Sequence, residues 1–269
     1  MFFKNKIVTL ITVATLIRFI IALSIDLGND EVYYITYAKQ LQWNYFDHPP
    51  LVALLIRLST FNLTITSDFF IRLGPTILAA ANTYFVYTIG KKIKNERAGL
   101  LAALLYTSSI YTSIIAGLFI LPDAPQLFFW ILSLYFLIHQ LAVSKTDNKS
   151  NWSLLLFGIC AGLCIMSKIH GIFLWIGFGL HILFYNRKLL SNPYLYISIV
   201  ITLLIISPIM FWNIENNFIT YTFHSNRVTI NRGLNIDSFI REFIGGAVYN
   251  NPINFFIIIK LSIGFHNIL

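Results

Sequence analysis

The chain has 269 residues, 57% of them hydrophobic and only 11% charged, with a mean hydropathy of +0.72 and a formal net charge of +8. A soluble domain is about 25% charged on average, so these figures exclude an ordinary globular enzyme and describe a polytopic membrane protein. The basic excess is scattered through short loops between apolar runs and forms no continuous stripe, which argues against nucleic acid as a partner.

A helical span needs about 20 mostly apolar residues. Eight runs approach or reach that length, at 7–25, 69–90, 99–119, 126–143, 153–167, 171–185, 194–213 and 252–269, so the predicted fold is an all-α bundle of about eight spans. The first run follows Lys4 and Lys6 as a secretory signal would, but it is longer than a signal core of roughly 7–15 residues and contains Arg18. An uncleaved span is expected. Cys160 and Cys164 lie four apart on one helical face beside Gly158 and Gly162, the pattern of small residues at a helix contact.

Orientation follows from the charges. With the N-terminus in the cytoplasm, the inside loops 1–6, 91–98, 144–152 and 186–193 hold ten basic residues, among them Lys91, Lys92 and Lys94, against Glu96 and Asp147 alone. The other nine acidic residues, together with seven basic ones, then fall on the outer side. Charge beside hydrocarbon is expensive to keep, so its concentration on one face points to chemistry there. The outer segments are a first loop at 26–68, a short second loop at about 120–125 and a long loop at 214–250. Within the first loop, Leu51–Leu58 is too short to span and is expected to be an amphipathic juxtamembrane helix.

Several outer clusters carry polar chemistry. Asp30-Glu31 follows the first span, where one carboxylate can act as general base towards a hydroxyl while the other orients a ligand. In Tyr45-Phe46-Asp47-His48-Pro49-Pro50 the prolines stiffen the backbone and present Asp47 and His48 at the membrane surface. Asp123 sits between Pro122 and Pro125 in a predicted tight turn, and Ser167-Lys168-Ile169-His170-Gly171 places a cation between two apolar runs. Lys168, Arg227 and Arg232 are candidates for a lipid phosphate, against the plainer reading of basic side chains snorkelling to the headgroups. No glycine-rich phosphate loop, zinc motif or nucleophile elbow is present.

Taken in order, Asp30-Glu31, the hexad 45–50, Arg72-Leu73, Pro122-Asp123-Ala124-Pro125, Ser167-Lys168-Ile169-His170-Gly171, and Trp212-Asn213 with Arg227 resemble the membrane glycosyltransferases of the protein-mannosyltransferase-like family, which have the GT-C fold. The resemblance implies one transmembrane catalytic domain over 1–269 and an inverting transfer from a polyprenyl-phosphate-linked sugar to a lipid, glycan or protein acceptor on the outer face of the cytoplasmic membrane. It implies Asp30 as the catalytic carboxylate, Glu31 as its helper and Asp123 as the second-loop acidic position. Tyr45, Asp47, His48, Arg72, Lys168, His170 and Arg227 would bind the donor phosphate or sugar. The resemblance fixes no cofactor, and a divalent cation is compatible with these residues.

Two departures accompany the resemblance. The aminoarabinose transferases that modify lipid A carry Glu-Lys where this chain has Asp47-His48, so a permanent cation is replaced by a pH-dependent one and the sugar is left unspecified. Family members run to about twice this length, and a further C-terminal part is expected to be missing. The competing reading from another class is a transporter or flippase. It would place ionisable residues and broken helices at the bilayer midplane, often in repeated halves, whereas here the charges lie at span ends without a repeat. An inactive truncated paralogue is the third reading.

Overall fold

The structure, a computed structural model, describes residues 2–142, 148–227 and 236–264, and every regular element among them is helical. The order is α1 (Phe2–Ser24), α2 (Asn29–Lys39), α3 (Leu51–Ser59), α4 (Asp68–Ile93), α5 (Glu96–Ser108), a π-helix (Tyr111–Ile115), α6 (Asp123–Ala142), α7 (Asn148–Ser167), α8 (Ile172–Tyr185), α9 (Pro193–Glu215), α10 (Ile219–Arg227), α11 (Ile236–Tyr249) and α12 (Pro252–Gly264). Short 3₁₀ turns at Ile169–Gly171 and Arg187–Ser191 bracket α8.

Among the described residues four stretches are long and apolar enough to cross a membrane: Asn5–Ser24, Asp68–Ile93, Asp123–Leu141 and Pro193–Glu215. Asn151–Ser167 and Ile169–Tyr185 are apolar but shorter. The expected count of eight spans is not confirmed among the described residues. The eighth run becomes α12, with 265–269 outside the described residues, and the third is broken. There α5 stops at Ser108, Ser109 is extended (φ −72°, ψ 130°), and the chain resumes as the π-helix. The cause is local: the Thr112 hydroxyl bonds the Tyr106 carbonyl and the Thr107 hydroxyl bonds the Ala103 carbonyl at 2.8 Å, so side chains compete for the helical ladder.

The two ends of the bundle have different contents. Ile7, Tyr87 and Ala103 share one apolar cluster, bringing the start of α1, the end of α4 and the start of α5 together at the end that carries Lys91, Lys92 and Lys94. At the opposite end Tyr34, Tyr37, Ala38, Tyr45, Val52, Ala53, Ile56, Ile71 and Ile120 form a second core, built by the first loop on α4 and on the segment before α6. Helix α3 serves that core with one face, Val52, Ala53 and Ile56, and leaves Leu54 and Leu58 outward, as its amphipathic pattern demands.

A third core joins α7, α8 and α9 through Phe157, Ala161, Cys164, Leu174, Phe178 and Leu195. The small-residue stripe on α7 is what lets α9 approach: a Cβ on Gly158 would stand 2.5 Å from the Ser198 carbonyl oxygen. Both cysteines are buried there, free and unpaired with each other. Exposed Leu23, Ile20, Phe184, Leu204 and Phe211 on α1, α8 and α9 form the outward surface suited to lipid.

Candidate active site

The first-loop platform is assembled from tyrosines. Tyr37 and Tyr45 stack with ring centroids 3.6 Å apart and planes 9° from parallel, and the Tyr45 hydroxyl donates to the Tyr37 carbonyl at 2.8 Å. The Tyr45 N–H donates to the His48 carbonyl at 3.2 Å, closing the turn that Pro49-Pro50 then stiffens. Tyr37 hydrogen-bonds Asp47 Oδ1 and shares a 2.6 Å contact with the Tyr33 hydroxyl. Burial, reinforced by those bonds, holds the Tyr37 phenol far above its ordinary value, so it remains a donor to the carboxylate.

Helix α10 closes over this turn. Asn44 Nδ2 donates to Thr220 Oγ1 at 3.0 Å, the Thr220 hydroxyl donates to the Tyr45 carbonyl at 3.1 Å, and His224 Nε2 lies 2.9 Å from the Asp47 carbonyl. The result is a cavity of about 140 Å³ lined by Asp47, His48, Pro49, Lys168, His170 and His224, with Asn44, Ile169, Ile209, Thr220 and Tyr221 completing the wall. Four residues expected at the donor group, Asp47, His48, Lys168 and His170, thus meet in one place although 123 positions of sequence separate the first from the last.

Lys168 is held at that cavity by Asp123. Its Nζ lies 3.0 Å from Oδ1 and 3.2 Å from Oδ2, with side chains 25% and 15% exposed, and the Tyr111 hydroxyl donates to the same Oδ1 at 2.5 Å. Burial pushes the His48 imidazole below its usual 6.5 against the pull of the Asp47 carboxylate, with Lys168 and His224 lowering it further and Asp123 opposing. His170 is lowered as well, by desolvation and by Lys168.

Asp30 and Glu31 part company. Both belong to the first turn of α2, where carboxylates suit the helix dipole, but Asp30 is exposed and Glu31 is buried. Glu31 Oε1 accepts from Arg72 Nε at 2.9 Å and from the Ile120 N–H at 3.2 Å; Oε2 accepts from Arg72 Nη2 at 2.6 Å and from the Gly28 N–H at 2.9 Å. Arg72 spends its other donors on the Ile25 carbonyl at 2.7 Å and the Asp26 carbonyl at 2.9 Å. With side chains 3% and 1% exposed, this pair joins α2, the end of α1, α4 and the pre-α6 segment. Arg72 was expected at the donor phosphate; its guanidinium is instead committed to Glu31 and main-chain carbonyls inside the scaffold.

Asp30 opens on a second cavity of about 490 Å³, lined by Asp26, Asn29, Ile115, Phe119 and Leu121 and floored by Glu31 and Arg72. Tyr34, whose ring centroid is 5.9 Å from that of His48, has its phenol held above the ordinary value by burial and, to a lesser degree, by the charges of Asp47, Asp30 and Asp123. Tyr45 is buried under the stack and supports the turn. Arg227 ends α10, and its side chain, like residue 232, lies outside what the structure describes. Among the described residues no three His, Cys, Asp or Glu groups converge as metal ligands.

Sequence reasoning overlooked Tyr37, Tyr111 and His224. A tyrosine in an apolar run carries the same local signal as an interface anchor, and only His224, three residues before Arg227 on one helical face, had a spacing that could have marked it.

Comparison with known proteins shows the family and the fold. Residues 47–212, more than half the chain, match the family model described as dolichyl-phosphate-mannose-protein mannosyltransferase. A lipid A galacturonosyltransferase, RgtD of Rhizobium johnstonii, is 24% identical over 243 residues, covering 86% of this chain and 48% of the relative. The chain therefore spans about half the length of that relative. The structure of the Saccharomyces cerevisiae protein O-mannosyltransferase Pmt1-Pmt2 complex bound to the sugar donor superposes with a TM-score of 0.60 at 19% identity, over 83% of this chain and 34% of that one, which establishes a shared fold. By its family match and its fold, the chain belongs to the dolichyl-phosphate-mannose-protein mannosyltransferase family of GT-C glycosyltransferases.

Proposed function

We propose that the chain transfers a sugar from a polyprenyl monophosphate to the hydroxyl of a lipid, glycan or protein acceptor, with inversion, at the outer face of the cytoplasmic membrane. The observation that carries this reading is the meeting of Lys168 with Asp47, His48, His170 and His224 around one cavity; Asp30 lines a second cavity, which shares no lining residue with the first. Each group has a chemical part. Asp30 is the exposed base: as the acceptor oxygen forms its bond to the anomeric carbon, the hydroxyl proton passes to the Asp30 carboxylate. The bond from that carbon to the phosphate oxygen breaks, and its electron pair leaves with the phosphate.

Lys168, with the neutral imidazole of His48 as a hydrogen-bond donor, stabilises the charge that gathers on the departing phosphate. Asp123 keeps Lys168 in place and is a positioning group as much as a catalytic one. Glu31 and Arg72 act one step further back, as the buried tie that orients α2 and so aims Asp30. The positive-inside distribution of Lys91, Lys92 and Lys94 supports a cytoplasmic N-terminus and an external site.

The direct test uses protein reconstituted in lipid with a polyprenyl-phosphate sugar donor. Asp30→Asn is expected to abolish transfer while leaving the melting temperature unchanged, because its side chain is exposed at the rim. Transfer at the wild-type rate by that variant would remove Asp30 from the chemistry.

A further inference from the structure

Arg18 is the anomaly of the first span. It is 1% exposed, lies in the C-terminal half of the apolar span Asn5–Ser24, and has no carboxylate within ion-pair distance among the described residues. Burying an arginine without a counter-charge is among the costliest choices a membrane helix can make, and an apolar residue of similar length would pack α1 without that cost. The side chain is aimed at one target. Its Nε donates to the Ser113 carbonyl and its Nη2 to the Ser113 hydroxyl, each at 3.0 Å.

Ser113 is the middle residue of the π-helix, and the wider turn there is a matter of hydrogen bonding. The Ala116 N–H reaches back five residues to the Tyr111 carbonyl at 2.8 Å, and the Phe119 N–H five residues to Ile114 at 3.1 Å. Gly117 follows because a Cβ there would stand 2.5 Å from the Thr112 oxygen and 2.7 Å from the Ser113 oxygen. A π-turn holds one residue more than an α-turn. If that extra residue slides along the helix, side chains on the near side rotate by about 100° around the axis. Tyr111, the first residue of the turn, would then swing away from Asp123.

We propose that Arg18 is a positioning residue for the candidate active site: by gripping Ser113 it fixes the π-turn in the register that delivers Tyr111 to Asp123, and through Asp123 it sets Lys168. The contacts form one unbroken series, Arg18 to Ser113, Tyr111 to Asp123 at 2.5 Å and Asp123 to Lys168 at 3.0 Å, running from the interior of the bundle to the cavity. Tyr106, within electrostatic reach of the guanidinium, and Asn82 beside Tyr106 give it a polar flank without a competing anion. The importance of this series for catalysis rests on the proposed function; its geometry does not.

The test reads the Tyr111–Asp123 bond itself. With 3-fluorotyrosine at position 111 of the full chain in lipid nanodiscs, the ¹⁹F resonance reports that bond, and Asp123→Asn supplies the position of the broken state. Arg18→Met is expected to move the resonance to the Asp123→Asn position, with Arg18→Lys, which keeps a cation and one donor, returning it most of the way to the native shift. An unmoved resonance in folded Arg18→Met overturns the proposal. Should Arg18→Met fail to fold, Ser113→Ala, which removes one of the two bonds, is expected to give a partial shift in the same direction, and an unshifted Ser113→Ala overturns it equally. The resonance needs no turnover, so absence of sugar transfer in the wild type would count against the proposed function and leave the Arg18 assignment standing.

Discussion

Replacing Glu31 by glutamine separates a scaffold role from a catalytic one. Every group that faces this carboxylate is a donor: Arg72 Nε and Nη2, the Gly28 N–H and the Ile120 N–H. Glutamine keeps the shape but offers one acceptor oxygen and one NH₂, so on one side of the amide two donors confront a third, and Arg72 loses its only ionic partner among the described residues. Breaking a buried pair by removing one charge costs about 3–5 kcal/mol, because the survivor is left uncompensated. At roughly 2–4 °C per kcal/mol, the melting temperature of Glu31→Gln in detergent should fall by about 6–20 °C.

The replacement that removes both charges supplies the control. Arg72→Met combined with Glu31→Gln should recover part of that loss, since no unpaired ion remains. The informative comparison sets melting temperature against transfer. If Glu31→Gln melts within about 1 °C of wild type and still loses transfer, the carboxylate is acting on substrate and its assignment to the scaffold is wrong.

Other perturbations follow from the same geometry. Lys168→Ala removes a charge-assisted contact to phosphate worth about 1.5–3 kcal/mol, so kcat/KM for the donor should drop roughly 10- to 150-fold with acceptor KM little changed; equal effects on both substrates would refute the leaving-group role. His48 is depressed below 6.5 in the fold, so the unfolded chain binds its proton first. That contribution to stability is complete above about pH 6.5 and is lost as the pH falls through the unfolded value towards the folded one. Melting temperatures taken between pH 7 and pH 5 should therefore decline less steeply in His48→Gln than in wild type, and parallel curves would contradict the assignment. Gly158→Val sets a side chain against the Ser198 carbonyl of α9 and should cost about 1–3 kcal/mol in thermal unfolding, where a neutral result would mean that α7 and α9 are not in close contact.

Much of the architecture was visible in the hydropathy pattern, because a membrane helix must satisfy its own backbone and announces itself by an apolar run. The runs at 7–25, 69–90, 126–143 and 194–213 correspond to long helices. The third did not declare its break, since Thr107, Ser108, Ser109 and Thr112 leave an apolar average almost unchanged while their hydroxyls compete with the ladder. For the site, Asp47, His48 and Lys168 were legible as unusual polar residues at span ends. The separation of Asp30 from Glu31 was not: adjacent helical residues point about 100° apart, and which one faces inward depends on Arg72, forty-one positions away. Tyr111 was invisible for a similar reason, as its partner lies in another helix.

The burial of these carboxylates has a common logic. Asp30 is exposed to water at the rim of its cavity. Glu31 and Asp123 are drawn inward and pair with Arg72 and Lys168. The two pairs differ in one respect that matters for chemistry: Arg72 makes five contacts to fixed groups and cannot follow a ligand, whereas Lys168 is a point charge on a flexible stem, partly exposed and bound to a single carboxylate. A phosphate that enters the neighbouring cavity can therefore compete with Asp123 for Lys168, but no phosphate competes for Arg72. An arginine at position 168 would bind Asp123 through two parallel bonds and be harder to draw away, so Lys168→Arg should retain the fold while slowing transfer. If Lys168→Arg instead transferred sugar faster than the native chain, the mobile cation would not be the feature that the donor phosphate requires.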